Sequence, residues 1–157
     1  MRSFRMAKRY WLMKSEPDVY SIDDLARDGS TSWEGVRNYK ARNNMRAMKA
    51  GDDVLFYHSN AKPPAVAGIA RVCKEAYPDP FQFDRKSRYF DPRSDPDDPR
   101  WDLVDIEFVA KLDEPVALPD IKEDARLRDM ELVRYSRLSV QSVTRAEFEQ
   151  VKKMGSG

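Results

Sequence analysis

Residues 54–77, VLFYHSNAKPPAVAGIARVCKEAY, contain two apolar runs that are separated by a turn with two prolines. Short runs rich in Val, Ile, Phe and Tyr and bounded by turn residues are typical of β-strands. We therefore predict strands over residues 54–59 and 65–77, joined by a turn. Gly68 in the second strand indicates a bulge or a close approach of another backbone or a ligand. Cys73 is predicted to be an inert, small apolar residue within that strand.

Strand patterns recur on both sides of this pair, over residues 10–14, 101–112 and 137–143. Helices are predicted after Ser21, after Asn38, in short pieces after Pro119 and Asp124, and from a capping box at Thr144–Glu147. Residues 29–32 are predicted only as the break that ends the first helix. The pattern favours an α+β fold, a curved mixed β-barrel or sheet of about five to six strands with flanking helices. A doubly wound parallel sheet would require a regular strand–helix alternation, which the sequence lacks.

The composition limits which classes of function the chain can have. The chain has 157 residues, which is typical of one domain with one core. Its formal net charge is only +1 although 35% of its residues are charged, so nucleic-acid binding would require a local basic patch. One cysteine excludes an intramolecular disulfide framework and a cysteine zinc cluster, and it indicates a reducing compartment. No apolar run approaches the roughly 20 residues of a membrane span.

Three stretches far apart in sequence combine aromatic or apolar residues with small polar and basic ones. They are residues 10–17 (YWLMKSEP), 33–39 (WEGVRNY) and 55–60 (LFYHSN). Such a mixture is suited to a pocket that stacks on a nucleobase and reads its edge. It is much less suited to a catalytic triad or a metal site, and no cluster with metal-ligand spacing, phosphate loop or nucleophile elbow is present.

Each candidate residue also has a structural interpretation, and the alternatives stay open at this point. Trp33 precedes Gly35 on a predicted loop, where it is either a stacking wall or a core tryptophan; Trp11 and Trp101 lie in strand patterns and are predicted to be core. Lys14 and Ser15 end a strand and are either edge readers or part of a turn. Asn38 is either a helix cap or an amide that reads a base.

His58, the only histidine, lies at a strand end, where a structural role is the more common one. Its neighbour Ser59 does not form a nucleophile–base pair with it, because adjacent strand residues point to opposite faces. A basic cluster (Arg37, Lys40, Arg42 and Arg46) lies near Trp33 and is either a solvated helix face or a phosphate-binding patch. Residues 78–99 are predicted to be a long loop that gates the pocket or only packs over it.

At these residues the chain resembles the EVE domain family over residues 9–151. The resemblance rests on the motifs WLMKSEP (11–17), GVRNY (35–39), ARN (41–43), FYHSN (56–60), EAYPD (75–79), PRW (99–101) and RLSVQ (137–141). It implies a PUA-like fold and kinship with YTH domains, which hold N6-methyladenosine in an aromatic cage. Other EVE-like proteins are implied to read 5-methylcytosine or 5-hydroxymethylcytosine.

The resemblance predicts one EVE domain over residues 9–153, an N-terminal extension over 1–8 and a frayed tail over 154–157. We expect a non-enzymatic reader of a modified base in DNA or RNA. It should have no catalytic residue, metal or cofactor, make no membrane contact, and be monomeric. Its location should be cytoplasmic in a bacterium or nuclear in a eukaryote. The expected base-binding residues are Lys14, Ser15, Trp33, Arg37, Asn38, Tyr39, His58, Ser59 and Gln141, and the expected phosphate-binding residues are Lys40, Arg42 and Arg46.

Two other classes of function remain as alternatives. Related ASCH-like folds suggest a small amidohydrolase that acts on a modified nucleoside, with Lys14, Ser15 and Glu16 as nucleophile and base. The third possibility is an interaction module whose pocket binds a metabolite or a peptide. Such a module would show no salt-dependent binding to nucleic acid.

Overall fold

A computed structural model describes residues 8–135 and 137–156 and places six strands in one mixed sheet within that part of the chain. In chain order the elements are β1 (Tyr10–Ser15), α1 (Ile22–Asp28), β2 (Ser30–Ser32), α2 (Tyr39–Ala47), β3 (Asp53–His58), β4 (Ala65–Pro78), a 3-10 helix (Pro80–Phe83), β5 (Asp102–Ala117), α3 (Leu118–Glu123), a 3-10 turn (Ala125–Leu127), α4 (Glu131–Arg134), β6 (Val140–Val143) and α5 (Arg145–Met154). The strand order is β2-β5-β4-β3-β1-β6. The predicted α+β class and strand number are confirmed, and the sheet is open, with β2 and β6 at its edges.

The long antiparallel pair β4–β5 dominates the sheet, and its register shifts at several points. One shift follows Val66 and reaches Gly68, as predicted for a bulge. A Cβ atom at Gly68 would lie against the Ile22 side chain and 2.8 Å from the carbonyl oxygen of Ala110. The missing side chain therefore lets α1 pack directly on the sheet, which confirms the predicted close approach.

Strand β1 lies between β3, to which it is parallel, and β6, to which it is antiparallel. In this register Lys14 is the partner of Tyr57, and Ser15 is the partner of His58. Because parallel strands end at the same edge of a sheet, the polar ends of β1 and β3 lie side by side. A backbone hydrogen bond of 3.0 Å from Ser59 N–H to the Ser15 carbonyl continues the pairing past the strand ends.

Two apolar clusters cover the two faces of the sheet. One contains residues of α1 and α2 with Trp11, Phe56 and Val104, and the other contains residues of α3, α4 and α5 with Leu12 and Leu55. Trp11 is fully buried and Trp101 is buried, so the prediction that both are core residues is confirmed. Within the described residues, no helix is both long and apolar enough to cross a membrane.

Several local features go beyond the prediction or differ from it. Cys73 lies within β4, as predicted, and its side chain is exposed, because Val72 packs into the core and the next side chain of the strand points to the opposite face, which is not covered at this position. Residues 30–32 form the edge strand β2 against β5 as well as ending the first helix at Gly29. Only the second half of the predicted strand 137–143 is a strand.

At the chain ends, the predicted N-terminal extension is untested apart from Lys8, whereas residues 154–156 of the predicted frayed tail are part of the fold. Residues 1–7 and Gly157 lie outside the described residues, whereas Lys8 forms an ion pair of 3.3 Å with Asp53. Met154 belongs to α5, and Gly155 is buried where a Cβ atom would lie 2.7 Å from Leu112. The carbonyl of Gly155 accepts a hydrogen bond from Glu114 N–H, which attaches the tail to β5.

Candidate functional site

A cavity of about 510 Å³ opens where β1 and β3 end, and it is enclosed by the segment that follows β2 and by one residue of the loop after β4. Its lining residues are Lys14, Ser15, Glu16, Val19, Tyr20, Thr31, Ser32, Trp33, Glu34, Gly35, Val36, Arg37, Ser59, Tyr89 and Ser139. Five of the predicted base-binding residues are therefore brought together here. The volume lies within the range of small-ligand sites.

Lys14 and Ser15 enter the cavity from the end of β1. Partial burial lowers the pKa of the Lys14 ammonium below its ordinary value, and its Nζ lies 5.8 Å from the ring centroid of Tyr57. The Ser15 hydroxyl donates a short hydrogen bond of 2.6 Å to the carbonyl of Tyr20. Because a hydroxyl has one hydrogen, the Ser15 oxygen faces a ligand as an acceptor only.

Trp33 forms an apolar wall of the cavity directly after β2. Its backbone N–H donates to the Val104 carbonyl at 2.8 Å, which fixes the residue to β5. Its ring meets Phe56 edge-on, with centroids 5.5 Å apart and an interplanar angle of 87°. The side chain is only partly buried, so Trp33 combines a structural contact with a surface inside the cavity.

The segment that carries Trp33 is held in place by Asp79, a residue that was not predicted to belong to the site. Its carboxylate is fully buried and accepts hydrogen bonds from Gly35 N–H at 2.9 Å, from Arg37 Nη1 at 3.0 Å and from Phe81 N–H at 2.8 Å. The group thereby satisfies its charge with an ion pair and two backbone donors. It joins the end of β4 to the segment that carries Trp33.

Arg37 extends this connection to Tyr89. Its Nε and Nη2 donate to the carbonyl of Tyr89 at 3.1 and 2.8 Å, and its Nη1 also donates to the Val36 carbonyl at 2.9 Å. The Tyr89 ring lies against Gly35, which has φ +84°, so closely that a Cβ atom there would be 2.5 Å from the ring. Arg37 therefore holds the loop in place, and its predicted contact with a base or phosphate stays a prediction.

His58 lies behind the cavity and is not among its lining residues. Its Nε2 accepts a hydrogen bond of 3.1 Å from Ile22 N–H in the first turn of α1, and its ring meets Phe56 edge-on. Only the imidazole without a proton on Nε2 can accept this bond. Burial lowers the pKa of His58, and Lys111 lowers it further while Asp23 raises it.

The lowered pKa of His58 gives a pH-dependent stability. The folded state binds fewer protons than the unfolded state below about pH 6.5, so the contribution of neutral His58 is present above that pH and lost as the pH falls. We expect the melting temperature to fall between about pH 7.5 and about pH 5.5 more steeply in the natural protein than in His58→Gln. Equal slopes in thermal melts of the two proteins would show that His58 contributes nothing.

Three other predicted base-binding residues do not line the cavity. Asn38 caps α2, and its Oδ1 accepts from Ala41 N–H at 2.9 Å. Tyr39 is exposed, and its ring stacks on Trp101 with centroids 4.9 Å apart while the Arg42 guanidinium lies 4.7 Å from its centroid. Gln141 is fully buried, and its Nε2 donates to the carbonyls of Tyr135 and Leu138 at 3.0 Å.

The predicted phosphate-binding residues lie on α2, outside the cavity lining. Arg42 donates to the Arg100 carbonyl and to Asn43, and Arg46 forms an ion pair of 2.6 Å with Asp102. Lys40 lines a separate cleft of about 400 Å³ with Glu131, Tyr135 and Leu138. In the part of the chain that the structure describes, no group of three or more His, Cys, Asp or Glu could hold a metal ion.

Comparison with known proteins gives a consistent picture. Residues 9–154 match the EVE domain family. Thymocyte nuclear protein 1 of Homo sapiens is 41% identical over 159 residues, which cover 89% of this chain and 71% of that protein. The solved structure of the human THYN1 protein in complex with 5-methylcytosine containing DNA has a TM-score of 0.91 at 40% identity and covers 96% of this chain and 99% of its own.

A more distant likeness concerns the fold alone. The YTH domain of the Zygosaccharomyces rouxii MRB1 protein, solved with N6-methyladenosine RNA, has a TM-score of 0.57 at 12% identity over 100% of this chain and 92% of its own. Together with the human THYN1 structure, it confirms the predicted PUA-like fold, which this chain shares with YTH domains.

Proposed function

The chain belongs to the EVE domain family, and from this premise we propose that it is a non-enzymatic reader that binds a modified nucleobase of DNA or RNA, a modified cytosine first of all. The observation that carries the proposal is the 510 Å³ cavity in which Trp33 and Tyr89 stand near the polar ends of β1 and β3. A base flipped out of its strand requires aromatic surface for its faces and polar groups for its edge. The cavity offers both.

The human relative supports the choice of ligand. Its structure is a complex with DNA that contains 5-methylcytosine, and its chain is 40% identical to this one over nearly the full length. In the pose that we propose, the base stacks on Trp33, and Lys14, Ser15 and Ser59 face its edge. His58 and Gln141 support the pocket from behind through the hydrogen bonds to Ile22, Tyr135 and Leu138.

The nucleic-acid backbone would be held beside the cavity and not within it. We propose that Lys40, Arg42 and Arg46 on α2 contact phosphates. Because the net charge of the protein is only +1, its attraction for a polyanion must come from a local basic patch such as this one. Arg42 and Arg46 are already oriented by Tyr39 and Asp102, so they present guanidinium groups in fixed positions. Asn38 caps the same helix and thereby positions the patch.

The amidohydrolase alternative has one observation in its favour, the lowered pKa of Lys14, which is a property of many catalytic lysines. The arrangement of Ser15 argues against it. The hydrogen of the Ser15 hydroxyl is donated to a backbone carbonyl, and a carbonyl cannot remove the proton to generate a nucleophile. We expect no deacetylation when the protein is incubated with N4-acetylcytidine, and turnover that Lys14→Ala abolishes would reverse this assignment.

Calorimetric titration tests the reader function directly. The ligands are matched DNA and RNA oligonucleotides that contain cytosine, 5-methylcytosine, 5-hydroxymethylcytosine or N6-methyladenosine at one position. We expect a preference for one modified base. Burial of one methyl group contributes only about 0.8 kcal/mol, or about fourfold in affinity, so a larger preference requires polar contacts as well. Equal, weak and salt-sensitive binding of every oligonucleotide would contradict the proposal.

A further inference from the structure

We infer that the cavity selects a base with an exocyclic amino group, and that Glu34 is the residue that discriminates a cytosine derivative from thymine. The inference rests on the proposed function and concerns the hydrogen-bonding character of the ligand that the cavity accepts. It follows from which donors and acceptors of the lining side chains are already used by the protein.

The hydroxyl groups with defined partners are acceptors toward a ligand. Ser15 donates its hydrogen to the Tyr20 carbonyl at 2.6 Å, and Ser32 donates its hydrogen to Oε2 of Glu34 at 3.3 Å. A hydroxyl has one hydrogen and two lone pairs, so each of these oxygens can only accept a further hydrogen bond. The strongest available partner for them is an N–H group of the ligand.

Two carboxylates add to the acceptors. Glu16 and Glu34 both line the cavity, and each is oriented by one neighbour: Oε1 of Glu16 accepts from Asn60 Nδ2 at 3.1 Å, and Oε2 of Glu34 accepts from Ser32. These bonds use one oxygen of each carboxylate. Since an ionised carboxylate has two oxygens and donates no hydrogen bond, the second oxygen of each also favours a ligand N–H group.

The lining also contains two basic side chains, Arg37 and Lys14. Arg37 directs its guanidinium to Asp79, Val36 and Tyr89 of the protein, and Lys14 lies at the end of β1. A cytosine matches this set, because its N4 amino group donates while its O2 and N3 accept. Thymine has the same C5 methyl group as 5-methylcytosine but presents an O4 acceptor in place of the amino group. Opposite a carboxylate, that oxygen would be repelled.

Glu34 is the better placed of the two carboxylates for this discrimination. It directly follows Trp33, the wall on which we propose that the base stacks, and Gly35 after it is fixed to the buried Asp79. Its position is therefore held on both sides, whereas Glu16 is oriented by Asn60 in the turn after β3. An exposed carboxylate that is held by its neighbours can distinguish an amino group from a carbonyl without any change in the fold.

The experiment uses short DNA duplexes in which cytosine, 5-methylcytosine or thymine lies opposite an abasic site, so that differences in base pairing do not contribute. The natural protein, Glu34→Gln and Glu123→Gln are titrated with each duplex. Glu123 is an exposed residue of α3 that does not line the cavity, and its substitution controls for the loss of one negative charge. The glutamine at position 34 keeps the shape of the side chain and adds an amide donor, which can pair with O4 of thymine.

We expect the natural protein and Glu123→Gln to bind 5-methylcytosine about tenfold more tightly than thymine, and Glu34→Gln to reduce that ratio to about threefold or less. Preference for 5-methylcytosine over cytosine with equal binding of thymine would overturn the inference and leave the proposed function intact. Discrimination against thymine that Glu34→Gln removes, without any preference for the methyl group, would support the inference and contradict the modified-base function. Failure to bind any of these duplexes, the corresponding single strands or the matched RNA oligonucleotides would overturn both.

Discussion

Replacing Trp33 with alanine is expected to weaken binding of an oligonucleotide with the preferred modified base by more than tenfold, while the protein stays folded. Stacking of a base on an aromatic side chain contributes roughly 1–3 kcal/mol, and the upper half of that range corresponds to a loss above tenfold. Of the aromatic residues that line the cavity (Tyr20, Trp33 and Tyr89), Trp33 has the largest ring, and its hydrogen bond to Val104 fixes it to β5. The loss should therefore be larger than that for any single polar residue of the cavity.

The structural contact of Trp33 must be separated from its contact with a ligand. Its ring packs edge-on against Phe56 in the core, so Trp33→Ala also removes apolar contact and lowers stability. Trp33→Phe keeps an aromatic face and is expected to retain most of the affinity. Calorimetry with the modified and unmodified oligonucleotides, combined with thermal melts, distinguishes the two effects. A folded Trp33→Ala protein with unchanged affinity would show that the base does not stack there.

The parts of the site that could be predicted from sequence are those that depend on strand ends. Lys14, Ser15 and Ser59 follow apolar runs, and the parallel pairing of β1 with β3 then brings them together without any further information. Trp33 could be recognised because a tryptophan in a polar stretch before a glycine is unusual for a core position. These signals are local, and strand periodicity is the most reliable local signal.

The residues that were missed depend on contacts between distant segments. Asp79 bonds to Gly35 across 44 positions, and Arg37 bonds to Tyr89 across 52. Asp79 lies in the EAYPD motif (residues 75–79), but nothing in the sequence pairs it with Gly35 or Arg37, and nothing distinguishes Tyr89 from Phe90 in the loop that follows. One signal was available. An arginine at position 37 requires an acidic partner if its side chain is to be buried, and Asp79, at the start of the loop, is that partner.

For Asn38 the sequence left two roles open, and the structure shows one of them, the helix cap. Its side chain accepts from Ala41 N–H because an uncapped helix start would leave that donor without a partner. Tyr39 is exposed, and its ring stacks on Trp101 and lies close to the Arg42 guanidinium. Both residues shape the surface next to the cavity, and their predicted direct contact with a base stays a prediction.

Replacing Asp79 with alanine is expected to cause the largest loss of stability of any single change at this site. The carboxylate is fully buried, and its removal leaves the Arg37 guanidinium, which is only 22% exposed, without its ionic partner, and two backbone N–H groups without an acceptor. Breaking a buried ion pair in this way costs about 3–5 kcal/mol of unfolding free energy. Because Arg37 is partly accessible to water and also contacts Tyr89, we expect about 3 kcal/mol, measured by urea unfolding.

A matched pair of variants shows whether burial is the cause. Asp102→Ala also removes an acid from an arginine, but its partner Arg46 is 40% exposed, so the expected loss is below about 1 kcal/mol. If both substitutions cost the same, the Asp79 network does not carry the stability assigned to it. The same comparison bears on function, because Asp79 fixes Gly35 and, through Arg37, the Tyr89 wall. Asp79→Ala should therefore also weaken base binding under conditions in which it remains folded, whereas Asp102→Ala should leave the cavity walls in place.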